Sequence, residues 1–127
     1  MQILIADDSD LVRQRLAMLI EKIPGIEVVG EASDVHHALE SIDRLQPDLV
    51  IVDLHMPGNG LHLVDVVGAR LGRPTMVVLT NHPYPQYRDR CLKAGAEYFF
   101  DKATEFDAVV RVLTDLAQSR PGATPSF

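Results

Sequence analysis

The chain has one cysteine, Cys91, in 127 residues. A lone thiol excludes an internal disulfide and a cysteine-based zinc site, and fits a reducing cytoplasmic location best. At its place in the pattern, Cys91 reads as a small, buried or half-buried helix residue. No apolar run approaches the roughly 18 residues of a membrane-spanning helix, so no membrane association is expected. The opening MQILIADDSD turns acidic too soon for a signal peptide. There is no internal repeat and no low-complexity block. Twelve Lys and Arg face eighteen Asp and Glu, a net charge of −6. No segment concentrates the basic residues, so direct nucleic-acid contact by this domain is not expected.

What is present fits one domain. The length and a hydrophobic fraction of 46% are ordinary for a single globular unit. Residues 1–118 are expected to form it. Residues 119–127, with RPGATPSF from Arg120 onward, read as a disordered tail or the start of a linker.

Along the chain, short apolar runs alternate with amphipathic segments. Ile3–Ala6 is a strand bounded by acids. Residues 9–23 carry Val12, Leu16, Leu19, Ile20 and Ile23 in steps of three and four, a helical stripe. Pro24-Gly25 breaks it, and Ile26–Val29 is the next strand. Ser33 or Asp34 can cap a helix bearing Val35, Ala38, Leu39 and Ile42. The consecutive apolar residues of Asp48–Val52 suit a central parallel strand covered on both faces. A loop from Asp53 to Gly60 leads to a helix with Leu63, Val64, Val67 and Leu71. Thr75–Leu79 is the fourth strand, residues 86–94 a weak helix ending at Gly95, and Glu97–Phe100 the fifth strand. Phe106, Val109, Val110, Leu113 and Leu116 mark the last helix. Five strand–helix units with short loops predict an α/β fold: a flavodoxin-like, doubly wound, five-stranded parallel sheet of order 2-1-3-4-5 with five helices.

Ligands in such sheets bind beyond the carboxyl ends of the strands. There the sequence places Asp7-Asp8, Asp53, Thr80 and Lys102. Three converging carboxylates repel one another, and a divalent, oxygen-seeking cation relieves this. Few protein ligands and a partly hydrated shell favour Mg²⁺. A metal, an ammonium and a hydroxyl around one carboxylate suit phosphoryl transfer, whose equatorial oxygens need positive partners more than a base. A carboxylate can itself be the nucleophile, and Asp53, after the most apolar strand, is the candidate.

These residues resemble the receiver domain of bacterial two-component response regulators. The match comprises Ala6-Asp7-Asp8, Asp53 with Met56-Pro57, Thr80 after Val77-Val78-Leu79, and Lys102 after Gly95-Ala96-Glu97-Tyr98-Phe99. The stretch Pro24–Ala32 is similar to the nitrate-response subfamily, whose members usually carry a C-terminal helix-turn-helix. The resemblance implies that Asp53 accepts a phosphoryl group from a histidine kinase or histidine phosphotransfer protein. Asp8 would ligate Mg²⁺ directly, Asp7 largely through water, and the His55 backbone carbonyl would complete the protein ligands. Thr80 and Lys102 would contact the phosphoryl oxygens. Phe99 holds the aromatic position whose rotation, with Thr80 moving inward, reports phosphorylation to the face formed by the fourth helix, fifth strand and fifth helix. In the family, the positions two residues after Asp53 and Thr80 control the attacking water; here they are His55 and His82, and the resemblance implies that one or both tune autodephosphorylation.

The resemblance also implies that the domain is a signalling switch rather than an enzyme. Its downstream protein target is unnamed, and a phosphorylation-dependent homodimer is compatible with it. The leading expectation is a single-domain regulator or phosphorelay shuttle. The alternatives are the receiver fragment of a DNA-binding transcriptional regulator and a non-phosphorylated receiver-fold interaction scaffold. A flavodoxin is disfavoured because Asp7-Asp8-Ser9-Asp10 would repel a flavin phosphate. An aspartate-nucleophile phosphatase would carry an acid where His55 stands. Two departures from the family pattern stand out. The loop Gly58-Asn59-Gly60 is about one residue short, and Asn81 replaces a small residue, which is expected to tighten access.

Overall fold

The computed structural model describes residues 1–119. Its elements are β1 (Gln2–Ala6), α1 (Asp10–Ile20), β2 (Glu27–Ala32), α2 (Val35–Leu45), β3 (Leu49–Val52), α3 (Gly60–Gly68), β4 (Thr75–Thr80), α4 (Pro85–Ala94), β5 (Tyr98–Asp101) and α5 (Phe106–Ser119). All strand pairs are parallel and the order is β2-β1-β3-β4-β5, as the alternation predicts.

Successive strand residues point to opposite faces, so a fully apolar strand feeds two cores at once. Ile3, Ile5, Leu49, Ile51, Val77 and Leu79 face α1 and α5, where Leu16, Ile20, Val109 and Leu113 meet them. Leu4, Ala6, Val50, Val52, Met76 and Val78 face α2, α3 and α4, with Ala38, Ile42, Val64, Val67 and Cys91. Fully buried Ile51 and Leu79 lie in the middle of the first core. Truncating either to Ala would cost about 2–5 kcal/mol. Cys91 is fully buried, as expected, and burial pushes its thiol up to about 11.

The boundaries show what tertiary contacts add. Helix α1 stops at Ile20, and Ile23 is buried from the following turn rather than from the helix. The second strand extends to Ala32, beyond the expected Val29, because pairing with β1 carries it on to Ala6↔Ala32. Asp34, not Ser33, caps α2, accepting from the His37 N–H at 2.8 Å. Leu71, expected on the buried face of the third helix, is fully exposed because α3 ends at Gly68. Pro85 opens α4 at a position where its missing N–H costs nothing. Gly95 ends α4 at φ +114°, the expected left-handed cap. Ser119, expected to open the tail, closes α5, and Arg120–Phe127 lie outside the described residues. Among the described residues no helix is long and apolar enough to cross a membrane.

Candidate functional site

Parallel register brings the strand ends to one edge of the sheet. Asp7 follows β1 directly and Asp53 follows β3; Thr80 is the last residue of β4, and Lys102 follows β5. Backbone bonds continue the ladder into these residues. The Asp7 N–H donates to the Ala32 carbonyl at 3.0 Å, Asp53 N–H to Ala6 at 2.9 Å and Lys102 N–H to Thr80 at 2.8 Å. The sheet therefore aims each side chain, and the convergence predicted from sequence is found in the fold.

Lys102 Nζ lies 2.7 Å from Asp7 Oδ2 and 3.5 Å from Asp53 Oδ2. Both carboxylates are buried, whereas Asp8 is exposed. One oxygen from each of Asp7, Asp8 and Asp53 lies within 4.8 Å of the others. Asp53 also accepts the His55 N–H at 3.2 Å. Burial first, and the charge of Asp7 second, push the Asp53 carboxyl above its ordinary range, with Asp8 adding to them. Lys102 and the His55 N–H pull it the other way. One ammonium among three carboxylates leaves an excess of negative oxygen donors facing a partly open space. That donor set fits a hard divalent cation of Mg²⁺ type.

Asp7 is committed elsewhere: Oδ2 to Lys102 and Oδ1 to the Ser9 N–H at 2.9 Å. The Asp8 carboxylate makes no hydrogen bond or ion pair among the described residues, so it is the freest oxygen donor of the three. Thr80 is fully buried, and its Oγ accepts the His82 N–H at 3.0 Å. Phe99 is buried in the core under α2–α4.

The rim is aromatic. His55 and His82 rings are 3.9 Å apart between centroids, and Tyr87 and Tyr84 extend the cluster at 6.3 Å from His55 and 6.0 Å from His82. A cleft of about 520 Å³ opens beside them, lined by Asp8, His55, Met56, Asn59 and Tyr87 among others. Asn81, expected to tighten access, is exposed beside Thr80, and the two histidine rings pack against each other. His36 and His37, adjacent on α2, face separate carboxylates, Glu40 at 3.7 Å and Asp34 at 2.7 Å. They do not form a metal pair.

Sequence reasoning missed two supports. Gly60 sits so close to the strand end that a Cβ there would meet the Asp53 carbonyl oxygen at 2.3 Å. Its signal was only the short loop. Arg13 bonds the Asp7 carbonyl from α1. Nothing in the sequence marks that bond.

A doubly wound sheet with an acid trio and a lysine on its carboxyl edge defines a class, the signal-receiving domains of two-component systems. The chain belongs to the response regulator receiver domain family, whose model it matches over residues 3–114. It is 34% identical over 116 residues to the nitrate/nitrite response regulator protein NarL of Escherichia coli K12, covering 91% of this chain and 54% of that protein. It is 42% identical over 105 residues to protein-glutamate methylesterase/protein-glutamine glutaminase 1 of Xanthomonas campestris, covering 80% of this chain and 29% of that one. Its structure resembles the signal receiver domain of the NarL-named regulator from Mycobacterium tuberculosis, with a TM-score of 0.82 and 28% identity. That alignment covers 94% of this chain and 97% of the other. The chain thus spans about half of one curated relative and under a third of another.

Proposed function

We propose that Asp53 is the phosphoacceptor of a two-component switch, receiving a phosphoryl group from the phosphohistidine of a kinase or phosphotransfer protein. The observation that carries this reading is Lys102 Nζ within 3.5 Å of the buried Asp53 carboxylate, with fully buried Thr80 at the end of the neighbouring strand. Asp53 Oδ would bond to phosphorus as the phosphorus–nitrogen bond breaks, and the departing imidazole keeps the electron pair. Asp8, Asp53 and the His55 carbonyl would hold Mg²⁺, with Asp7 reaching it through water. Mg²⁺ when bound supplies charge neutralisation for the phosphoryl oxygens. Lys102 supplies a second positive partner, and Thr80 a hydroxyl donor.

Phosphorylation adds about −1.5 to −2 charge and new acceptor oxygens. Thr80 and Phe99 are both buried, and the switch is read as a rearrangement of these two side chains that holds the α4–β5–α5 face in one state for a downstream protein. A homodimer formed through that face is one form the output takes. His55 and His82 would restrict the water that ends the signal.

The test is intact mass after treatment with Mg²⁺ and either a small phosphodonor or a phosphorylated kinase domain. A gain of one phosphoryl group in the wild type, absent in Asp53→Ala, supports the proposal. No gain from either donor overturns it and favours a non-phosphorylated interaction scaffold.

A further inference from the structure

Asp8 is the one member of the acid trio with no side-chain partner among the described residues, so the fold places it only through its backbone. That backbone is held from α1. Arg13 is largely buried, with 13% of its side chain exposed, and each nitrogen of its guanidinium has its own acceptor. Nη1 donates to the Asp7 carbonyl oxygen at 2.5 Å. Nε donates to Glu31 Oε1 on β2 at 3.1 Å. Nη2 pairs with Asp10 in the first turn of α1.

The Asp7 carbonyl belongs to the peptide that joins Asp7 to Asp8. A peptide is planar, so fixing its oxygen fixes the direction in which the chain enters Asp8. The Asp7 N–H is tied to the Ala32 carbonyl, and the peptide leaving Asp8 donates its Ser9 N–H to Asp7 Oδ1. Asp8 is therefore held through both of its peptides, and Arg13 holds the one that enters it.

On the reading that Asp8 ligates Mg²⁺, we infer that Arg13 is a positioning residue that presets Asp8 for the metal before the metal arrives. Its role is geometric. The fork reaches three divergent acceptors, which a lysine ammonium on a single nitrogen does not reproduce. Charge alone would act oppositely: removing a cation beside the acid trio strengthens the attraction for Mg²⁺.

The experiment is Mg²⁺ titration followed by backbone and arginine side-chain NMR on the wild type, Arg13→Lys and Arg13→Gln, each first checked by thermal melting. Partners of this kind typically cost 10–100-fold in metal affinity when lost. We expect about tenfold weaker Mg²⁺ binding in Arg13→Lys, although the charge is kept, and weaker binding in Arg13→Gln, although the charge is lost. Binding unchanged in Arg13→Lys, or tighter in Arg13→Gln, overturns the inference. Should either variant melt below the titration temperature, the metal-free wild type still decides. The Arg13 Nη1 hydrogens, which hold the Asp7 carbonyl, are expected to be protected from solvent exchange, and unprotected Nη1 hydrogens overturn the inference. Wild-type protein that does not bind Mg²⁺ at all overturns the functional reading itself, a different outcome from variants that bind as the wild type does.

Discussion

Lys102 Nζ is 2.7 Å from Asp7 Oδ2, an ion pair whose side chains are only 9% and 3% exposed. Removing one partner of such a pair leaves the other charge buried alone, at a cost of about 3–5 kcal/mol. Lys102→Met is therefore expected to lower the midpoint of urea unfolding in metal-free protein. The same change leaves more negative charge for a cation, so added Mg²⁺ should stabilise the variant more than the wild type. Melts with and without Mg²⁺ check both parts. Intact mass should show reduced phosphorylation, because Lys102 would contact the phosphoryl oxygens.

A second prediction concerns pH. Burial and the charge of Asp7 raise the Asp53 pKa above 3.8, so the folded protein holds this proton more tightly than the unfolded chain. The stability Asp53 contributes is full below pH 3.8 and is lost as pH rises through the raised value. Above that raised value the ionised Asp53 weakens the metal-free fold. Asp53→Asn keeps an acceptor for the His55 N–H and removes the charge. It should melt higher than the wild type at pH 7, with the gain shrinking as pH falls toward 3.8 and on addition of Mg²⁺ to both proteins. A lower melting temperature at pH 7 would contradict the assignment.

The His55 and His82 rings are close enough to act as one rim. Replacing either with Ala opens the rim to water and should shorten the acyl-phosphate half-life by a few-fold. The double variant should differ from the product of the two single effects, with a coupling of about 0.5–3 kcal/mol, as for residues in contact. Half-lives of the four proteins after phosphorylation measure it. Strict multiplicativity would mean that the rings act separately.

Gly60 offers a structural test. A methyl group there would press on the Asp53 carbonyl oxygen and on Leu54 Cα at 2.6 Å, both backbone atoms. Gly60→Ala should cost about 1–3 kcal/mol of stability by overpacking. It should also reduce phosphorylation of Asp53, whose strand end it displaces. Denaturant midpoints and intact mass give the two readings.

Most of the fold was legible because parallel strands buried on both faces are written as unbroken apolar runs. Ile3–Ala6, Leu49–Val52 and Thr75–Leu79 could be read directly. The polar residue after each run then named the site. What escaped were features settled across the chain. The extra length of β2 comes from pairing with β1. Leu71 fits a helical stripe, yet α3 ends before it, and periodicity does not show where a helix stops. Arg13 follows Asp10 at helical spacing, which makes one pair visible. Its bonds to the Asp7 carbonyl and Glu31 need the finished fold. The contact between His55 and His82 joins two loops, and spacing along the chain carries no trace of it.

The pairing of Lys102 with Asp7 spans 95 residues. Asp7, Asp8 and Asp53 are all synthesised well before their counter-ion. Until β5 docks against β4, the acids meet at the sheet edge with no lysine between them. Arrival of the last strand both closes the sheet and brings its acidic edge one positive charge, so on the proposed reading the chain becomes receptive only when its folding is nearly complete. A ribosome-bound intermediate ending before residue 102 would carry the proposed acceptor, Asp53, without the lysine beside it.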